Sequence, residues 1–336
     1  MVTVYMTDSD ADRTPLTAAA GAAGPQVVNV LKLLSDETRL AILLALWESY
    51  DPYGPEEAIP FSELYDRVAV SDSANFTYHL NKLTDHFVEK TDDGYHLRNA
   101  GRVLVRTVIA GTGLEETTTS VTEIGMSCTR CGEARMEISY RDGAVYLTCP
   151  TCEGFVTTEK HPRGIIAVFE FDPAGVAGRS PPELLAASAI RSRNNLRMMM
   201  EGVCPACSGS IDASLRLCEH HDPGTGEVCP SCGTLDSVRA RYVCTVCKRK
   251  SSRPVEFTVV EHPAVVAFYD DHGIDIRRDV DDIEGFIRGA ELLWAMEHTI
   301  VSTDPVRIRV TVPCEGEELR LTLDETRDVI DISGSH

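Results

Sequence analysis

The chain has 336 residues, with 32 basic and 52 acidic side chains and a net charge of −20. This length fits two or three domains, and a hydrophobic share of 43% is enough to form cores. The charge excludes a nucleic-acid-binding coat of basic residues over the whole surface, and no apolar stretch is long enough to cross a membrane. No signal peptide is recognisable, so we expect a cytoplasmic protein without a membrane partner.

Only six of the basic residues are lysines. An excess of carboxylates with few lysines is typical of cells adapted to high salt, where solvated carboxylates keep proteins in solution. We favour this halophilic interpretation, under which the acidity reflects the cell and not a binding partner. An ordinary acidic cytoplasmic protein is the alternative.

The first part of the chain predicts a lead-in followed by a helical domain. Residues 1–26 are rich in Ala, Gly, Thr and Asp without periodicity, so we expect them to be disordered. Residues 27–110 begin with a short helix, and Ser35 is the expected cap of the next helix. A third helix is predicted over Phe61–Val68.

The fourth predicted helix has one apolar face and one polar face. Its apolar residues recur at helical spacing and are expected to face inward. They are Phe76, Leu80, Leu83 and Phe87. The outward residues are Asn75, Tyr78, Asn81 and Lys82, with Thr77 beside them. A helix with such side chains fits the major groove of double-stranded DNA.

A β-hairpin and a last helix complete this domain. The segment VEKTDDGYHL alternates in polarity around Asp92-Asp93-Gly94, which favours a tight turn. Its Lys90, His96 and Arg98 are expected near the DNA phosphates. Residues 75–106 hold five basic and four acidic side chains, a weakly positive balance within an acidic chain. This order of helices, turn and hairpin is that of a winged helix-turn-helix.

Residues 27–110 resemble the ArsR-like winged-helix family of transcription regulators. LSDETRLAIL is close to the family's signature for its second helix, and NFTYHLNKL matches its recognition helix. The resemblance implies a homodimer that binds a pseudo-palindromic DNA operator. Founding members carry a Cys-x-Cys metal sensor on the helix before the recognition helix, whereas FSELYDRVAV has no cysteine. The whole chain is similar to archaeal regulators with this winged helix and Cys-rich C-terminal units.

Beyond a predicted linker at 111–123, the sequence repeats a pattern of cysteine pairs, a His-Pro dipeptide, a predicted strand and a predicted helix. We therefore predict a duplicated zinc-ribbon, strand and helix unit at 124–202 and 203–302. In the first unit the strand is IIAVFEF, and in the second it is VVAFYDD, followed by a helix from about Asp281 to His298. Residues 303–336 are expected to form a C-terminal hairpin and tail.

Ten of the twelve cysteines form C-x-x-C pairs, which in an intracellular chain indicate metal ligands and not disulfides. A C-x-x-C turn offers two thiolates, and a second turn completes the tetrahedral shell of a zinc ion. The first predicted zinc ribbon consists of Cys128, Cys131, Cys149 and Cys152. A hairpin that turns at Arg141-Asp142-Gly143 brings these two pairs together.

The remaining ligands predict one or two further zinc ions, making two to three per chain. By analogy with the first unit, the second ribbon consists of Cys229, Cys232, Cys244 and Cys247. The third site then consists of Cys204, Cys207, Cys218 and His221. His220 competes for the last place, and a rival grouping joins the Cys204 pair to a later pair. Cys314 is expected to be a small buried residue.

A run of six basic residues follows, with no acidic residue among them. They are Arg239, Arg241, Lys248, Arg249, Lys250 and Arg253. Three interpretations stay open: contact with phosphate, docking on acidic groups of this chain or a partner, or a solvated face. The histidines of the two His-Pro dipeptides, His161 and His262, are interpreted as structural residues at strand entries.

No catalytic chemistry is expected, because a shell of four protein ligands leaves no open position for water. The motifs H-E-x-x-H, G-x-x-x-x-G-K-[ST] and G-x-S-x-G are absent. We therefore predict an α+β, DNA-binding transcription regulator with an N-terminal winged helix and structural zinc ribbons. The alternative is an adaptor that contacts the transcription machinery, because a winged helix followed by a zinc ribbon also resembles the alpha subunit of the general transcription factor E.

Overall fold

The computed structural model describes residues 33–54, 58–84, 86–111, 117–158, 163–222, 226–276 and 283–335. The disorder predicted for residues 1–26 and most of the first predicted helix lie outside these ranges. The chain divides into two compact units, Met1–Gly111 and Thr112–His336. Helices and small antiparallel sheets occur together, which confirms the α+β class. Among the described residues, no helix has the length and apolar character needed to span a bilayer.

The described part of the first unit comprises three helices, a hairpin and a further helix. They are α1 (Glu37–Glu48), α2 (Phe61–Val68), α3 (Ser73–Thr84), β1 (Val88–Lys90), β2 (Tyr95–Leu97) and α4 (Asn99–Ile109). These elements match the sequence prediction, but the expected cap of α1 was wrong. Asp36, not Ser35, is the N-cap, and its carboxylate accepts the backbone N–H groups of Thr38 at 3.0 Å and Arg39 at 3.3 Å. A carboxylate there also complements the helix dipole.

The predicted apolar stripe forms the centre of the first unit's core. Phe76, Leu80 and Leu83 of α3 are all buried, as is Phe87, which lies beyond the end of the helix at Thr84. They pack with apolar residues of α1, α2 and the hairpin. Full burial of one such side chain contributes about 1.5–3 kcal/mol. The inward direction of this face of α3 is therefore set by packing.

The second unit begins with a four-stranded antiparallel sheet in chain order. Its strands are β3 (Thr122–Ser127), β4 (Arg135–Arg141), β5 (Ala144–Thr148) and β6 (Ile165–Glu170). Helix α5 (Pro181–Met200) packs on this sheet. It starts with a capping box in which Glu183 accepts the backbone N–H of Ser180 at 2.8 Å, with Pro181 in the first turn.

A three-stranded sheet and two helices follow. They are β7 (Ile211–Leu217), β8 (Val238–Cys244), β9 (Lys250–Pro254), α6 (Pro263–Asp271) and α7 (Ile283–Ala295). The prediction of VVAFYDD as a strand was wrong, because this segment lies in α6. His262 caps that helix by accepting the N–H of Ala264 at 3.2 Å, and Pro263 has the backbone geometry of a first helical residue. His161 lies outside the described residues.

The C-terminal sheet is larger than predicted. The expected hairpin is present as β11 (Val306–Cys314) and β12 (Glu317–Leu323), and β10 (Glu297–Thr303) and β13 (Val329–Ser335) extend it to four antiparallel strands. The helix predicted to reach His298 therefore ends earlier. Cys314 is buried in the core of this sheet, as expected.

Candidate metal centres and candidate nucleic-acid interface

Twelve residues of the second unit form three groups of four possible metal ligands. Within each group the ligand atoms all lie within 4.8 Å of one another. The first group is Cys128, Cys131, Cys149 and Cys152, as predicted. Strands β4 and β5 pair along their length and bring the two turns to the same end of the hairpin.

The predicted composition of the other two groups was wrong. The second group consists of Cys204, Cys207, Cys244 and Cys247. The third group consists of Cys218, His221, Cys229 and Cys232. The reason is strand β7, which the sequence analysis missed: Ile211 pairs with Cys244 at one end of the β7–β8 hairpin, and Leu217 pairs with Val238 at the other.

The rival grouping was right in joining the Cys204 pair to a later pair. It was wrong in leaving a pair without partners, because Cys218 and His221 complete the group of Cys229 and Cys232. His221 Nδ1 lies 3.8 Å from Cys232 Sγ, whereas His220 is exposed and outside the group.

The distances between ligand atoms fit zinc. Four thiolates at about 2.3 Å from a tetrahedral zinc ion are separated by about 3.8 Å. The Sγ atoms are 3.8 Å apart for Cys128 and Cys152, 3.6 Å for Cys204 and Cys247, and 3.9 Å for Cys218 and Cys229. A disulfide would require about 2.05 Å. The second unit therefore holds three clusters that are compatible with structural zinc.

Local backbone geometry supports the interpretation of the C-x-x-C turns as metal-binding turns. The residue after the second cysteine has a positive φ in four of the five C-x-x-C turns. These residues are Gly132, Ser208, Gly233 and Lys248. The left-handed conformation lets the chain fold back around the two sulfur atoms. Backbone N–H groups also point at sulfur: those of Val246 and Cys247 each lie 3.4 Å from Cys244 Sγ.

These donors favour the thiolate, which is the form that binds metal. The hydrogen bond from the backbone of Cys247, with that of Val246, lowers the pKa of Cys244 to about 6. In the first group, burial raises the pKa of Cys128 to about 12. A metal that binds this group would therefore have to displace a proton from Cys128.

The predicted polar face of α3 is on the surface of the first unit. Asn75, Asn81 and Lys82 are exposed, and Tyr78 is 56% exposed. Lys82 Nζ lies 5.6 Å from the centroid of the Tyr78 ring, so these two side chains are neighbours. Thr77 is half-buried, and its hydroxyl donates to a backbone carbonyl of its own helix.

The hairpin presents a mixed surface. Lys90 and Arg98 are exposed, and His96 is half-buried. Glu89 lies opposite His96 in the β1–β2 register and 3.9 Å from Arg98. A carboxylate therefore lies close to two of the three predicted phosphate contacts, whereas Lys90 Nζ lies 5.8 Å from the centroid of the Tyr95 ring.

Half of the basic run of the second unit contacts other residues of the same chain. Arg239 forms an ion pair with Asp236 at 2.9 Å, and Arg249 forms one with Glu170 at 2.5 Å. This agrees with docking on acidic groups of the same chain, one of the three interpretations given above. Arg241, Lys248 and Lys250 are exposed.

One buried polar network was missed by sequence reasoning. His298 Nδ1 lies 2.5 Å from a carboxylate oxygen of Glu256, and its Nε2 lies 2.7 Å from the hydroxyl of Ser237. These residues are far apart in sequence and match no motif, so only the fold brings them together. Neither Ser237 nor His298 lines the cavity described below. We therefore interpret the network as a structural link between β10 and the segments that precede β8 and α6.

The fold and these sites define an α+β protein with three four-ligand cysteine clusters in its larger unit. Residues 125–329 match the family model described as "Domain of unknown function (DUF7351)". The match covers more than half of the chain, and the chain belongs to this family. Residues 27–108 match a second model, "Domain of unknown function (DUF7347)". No curated protein and no solved structure matches the chain.

Proposed function

We propose that this chain is a DNA-binding transcription regulator of the ArsR-like winged-helix type. The observation that carries the proposal is the two-faced helix α3. Its apolar stripe is buried, and its opposite face exposes Asn75, Tyr78, Asn81 and Lys82. The hairpin β1–β2 follows this helix directly, which is the element order of a winged helix-turn-helix.

The exposed side chains have the chemistry of base recognition. An asparagine amide can form paired hydrogen bonds with the edge of adenine, and a lysine can donate to guanine. In this proposal α3 enters the major groove through Asn81 and Lys82, and Thr77 and Tyr78 lie against its walls. Lys90, His96 and Arg98 of the hairpin contact the backbone, which fixes orientation and carries no sequence information.

The acidity of the chain sets the conditions for binding. At low salt a net charge of −20 repels DNA, whereas at about 1 M salt charges are screened beyond about 3 Å. We therefore expect this protein to bind its operator at salt concentrations that release most DNA-binding proteins. This behaviour fits a halophilic archaeal cytoplasm.

The remaining parts of the proposal concern zinc and assembly. Each cluster offers four protein ligands, so a bound zinc ion has no open position and serves stability, not catalysis. The ArsR-like resemblance further implies a homodimer on a pseudo-palindromic site. An adaptor that acts through the transcription machinery is the competing proposal, and DNA selection separates the two.

The test is selection from random double-stranded DNA by the full chain at molar KCl. A regulator enriches a defined, two-fold symmetric sequence, whereas an adaptor enriches none. Asn81→Ala and Lys82→Ala are each expected to weaken binding to that sequence by about tenfold or more. Asn194→Ala and Lys250→Ala are the matched controls, since both residues are exposed in the second unit. A larger loss for Lys250→Ala than for Lys82→Ala would contradict the docking of α3.

A further inference from the structure

The second unit contains a cavity between α5, β6, β9 and α7. Its volume is about 380 Å³, which lies in the range of about 300–1,000 Å³ typical of small-molecule sites. One wall is aromatic: Phe155 and Trp294 stack with ring centroids 3.8 Å apart, and Phe257 meets Trp294 edge-on at 6.5 Å. Leu196 and Leu293 add aliphatic surface.

The charged residues that line this cavity are mainly basic. Among the described lining residues there are four arginines and two carboxylates, a net charge of +2 within a chain of −20. Arg193 and Arg197 share Glu261, at 3.2 Å and 3.3 Å. Arg239 is paired with Asp236, as described above. The fourth arginine, Arg253, differs from these three.

The side chain of Arg253 is half-buried and forms no ion pair with a carboxylate among the described residues. Its two hydrogen bonds go to neutral oxygens, the carbonyl of Ser252 at 3.2 Å and the hydroxyl of Ser192 at 3.0 Å. Burial lowers the pKa of Arg253, and the charge of Arg239 acts in the same direction, whereas the charge of Glu170 raises it. A charge that is partly removed from water without a close counter-ion is unfavourable, and an anion in the cavity would remove much of this cost.

We propose that the cavity binds a small organic anion with an apolar body. The anionic group, a carboxylate or a phosphate monoester, contacts Arg253, and the apolar body lies against Trp294 and Phe257. Charge-assisted hydrogen bonds to a guanidinium are strong and directional for both head groups. This inference goes beyond DNA binding and does not rest on it, because every residue that carries it lies in the second unit.

The chain offers a built-in reporter of the cavity. Its two tryptophans are Trp47 and Trp294, so Trp47→Phe leaves a single tryptophan, in the cavity wall. This variant is titrated with decanoate, decyl phosphate and 1-decanol below their micelle concentrations. We expect a saturable change in Trp294 fluorescence with at least one anion, at an affinity about tenfold or more above that of 1-decanol. Which anion binds tighter identifies the head group.

A charge variant then tests the contact itself. In the Trp47→Phe background, Arg253→Met is expected to reduce the affinity for the better anion by about tenfold or more and to leave that for 1-decanol unchanged. Arg309→Met is the control, because Arg309 is exposed and does not line the cavity. If Arg253→Met does not fold, Arg253→Lys replaces it and is expected to retain charge preference but lose affinity.

Three results would overturn the proposal: no saturable signal with any probe, equal affinities for the anions and 1-decanol, or unchanged anion affinity in the Arg253 variant. Each of these leaves the DNA experiments on α3 unaffected, so the two proposals fail separately.

Discussion

The Sγ atoms of Cys204 and Cys247 lie 3.6 Å apart, although 43 residues separate them in sequence. The β7–β8 hairpin accounts for this approach, because Ile211 pairs with Cys244 next to both turns. The third cluster lies in the connection between β7 and β8, at the far end of the same hairpin, where Leu217 pairs with Val238. Seven-residue strands place the two clusters about 20 Å apart. One hairpin therefore has a four-ligand cluster at each end.

This arrangement predicts which cysteine pairs share a metal ion. The double variant Cys204→Ser/Cys247→Ser removes ligands from one cluster and is expected to lose one zinc ion per chain. Cys229→Ser/Cys247→Ser removes one ligand from each of two clusters and is expected to lose two. Native mass spectrometry of the full chain counts the ions. The grouping is contradicted if the second variant loses only one.

Cobalt substitution gives an independent check of the same clusters. Two clusters offer four sulfur ligands and the third offers three sulfurs and His221 Nδ1, so their visible spectra differ. His221→Ala is expected to change the spectrum of one bound Co²⁺ ion and leave the signals of the other two. A change in all three signals would show that the clusters are not independent.

Metal removal is predicted to act on the second unit alone. Ribbons with small cores are held together by their metal, whereas α1–α4 surround an apolar core that contains no predicted ligand. After chelation, amide hydrogen exchange is expected to rise steeply in β7 and β8 and to stay slow in α1 and α3. Loss of protection throughout the chain would contradict this division.

The two faces of α3 are predicted to respond differently to truncation. Leu80→Ala empties a buried position and is expected to lower the free energy of unfolding of the first unit by about 2–5 kcal/mol. Tyr78→Ala, two residues earlier on the exposed face, is expected to change it by about 0.5 kcal/mol or less. Urea unfolding in a Trp294→Phe background, in which Trp47 is the single tryptophan, measures both. Comparable losses for the two variants would mean that Tyr78 is also part of a packed surface.

Local signals were sufficient where the structure is decided locally. The apolar stripe around α3 and the turn at Asp92-Asp93-Gly94 each depend on residues within one short segment of the chain. The first metal cluster belongs to this class too, because a short hairpin separates its two pairs. Spacing alone therefore identified its four ligands.

The prediction of a duplicated unit was wrong where an insertion changed the spacing of the cysteine pairs. The second ribbon holds an extra ligand set between its two strands, so cysteines adjacent in sequence belong to different clusters. VVAFYDD resembles the strand IIAVFEF in apolar content, but His262 and Pro263 start a helix there. The cavity and the place of Arg253 in it could not be predicted, because the lining residues extend along the chain from Thr129 to Trp294.

The network around His298 predicts a dependence of stability on pH. Burial on its own would lower the pKa of His298, but the hydrogen bond and charge of Glu256, with the charge of Asp236, raise it above its ordinary value. A raised pKa in the folded state stabilises the protein fully below about pH 6.5, and this contribution is lost as pH rises through the folded-state pKa. Burial raises the pKa of Asp236, the ion-pair partner of Arg239, to about 6. A raised carboxylate pKa makes the folded state less stable as pH rises toward that value. The loss of stability linked to Asp236 is therefore largely complete by about pH 7.

The window above about pH 7 therefore isolates His298. His298→Gln is expected to lower the free energy of unfolding of the second unit by about 1.5–3 kcal/mol near that pH, and by less near about pH 9. Glu256→Gln is expected to reduce the same pH dependence of stability. The double variant is expected to change stability little more than either single variant, because each single variant removes the same ion pair. Differences from the wild type cancel the titration of the metal ligands, which all variants share. If His298→Gln lowers the free energy of unfolding equally at both pH values, the ion pair with Glu256 is not the source of the pH dependence. The hydrogen bond to Ser237 would then have to account for the whole loss of stability.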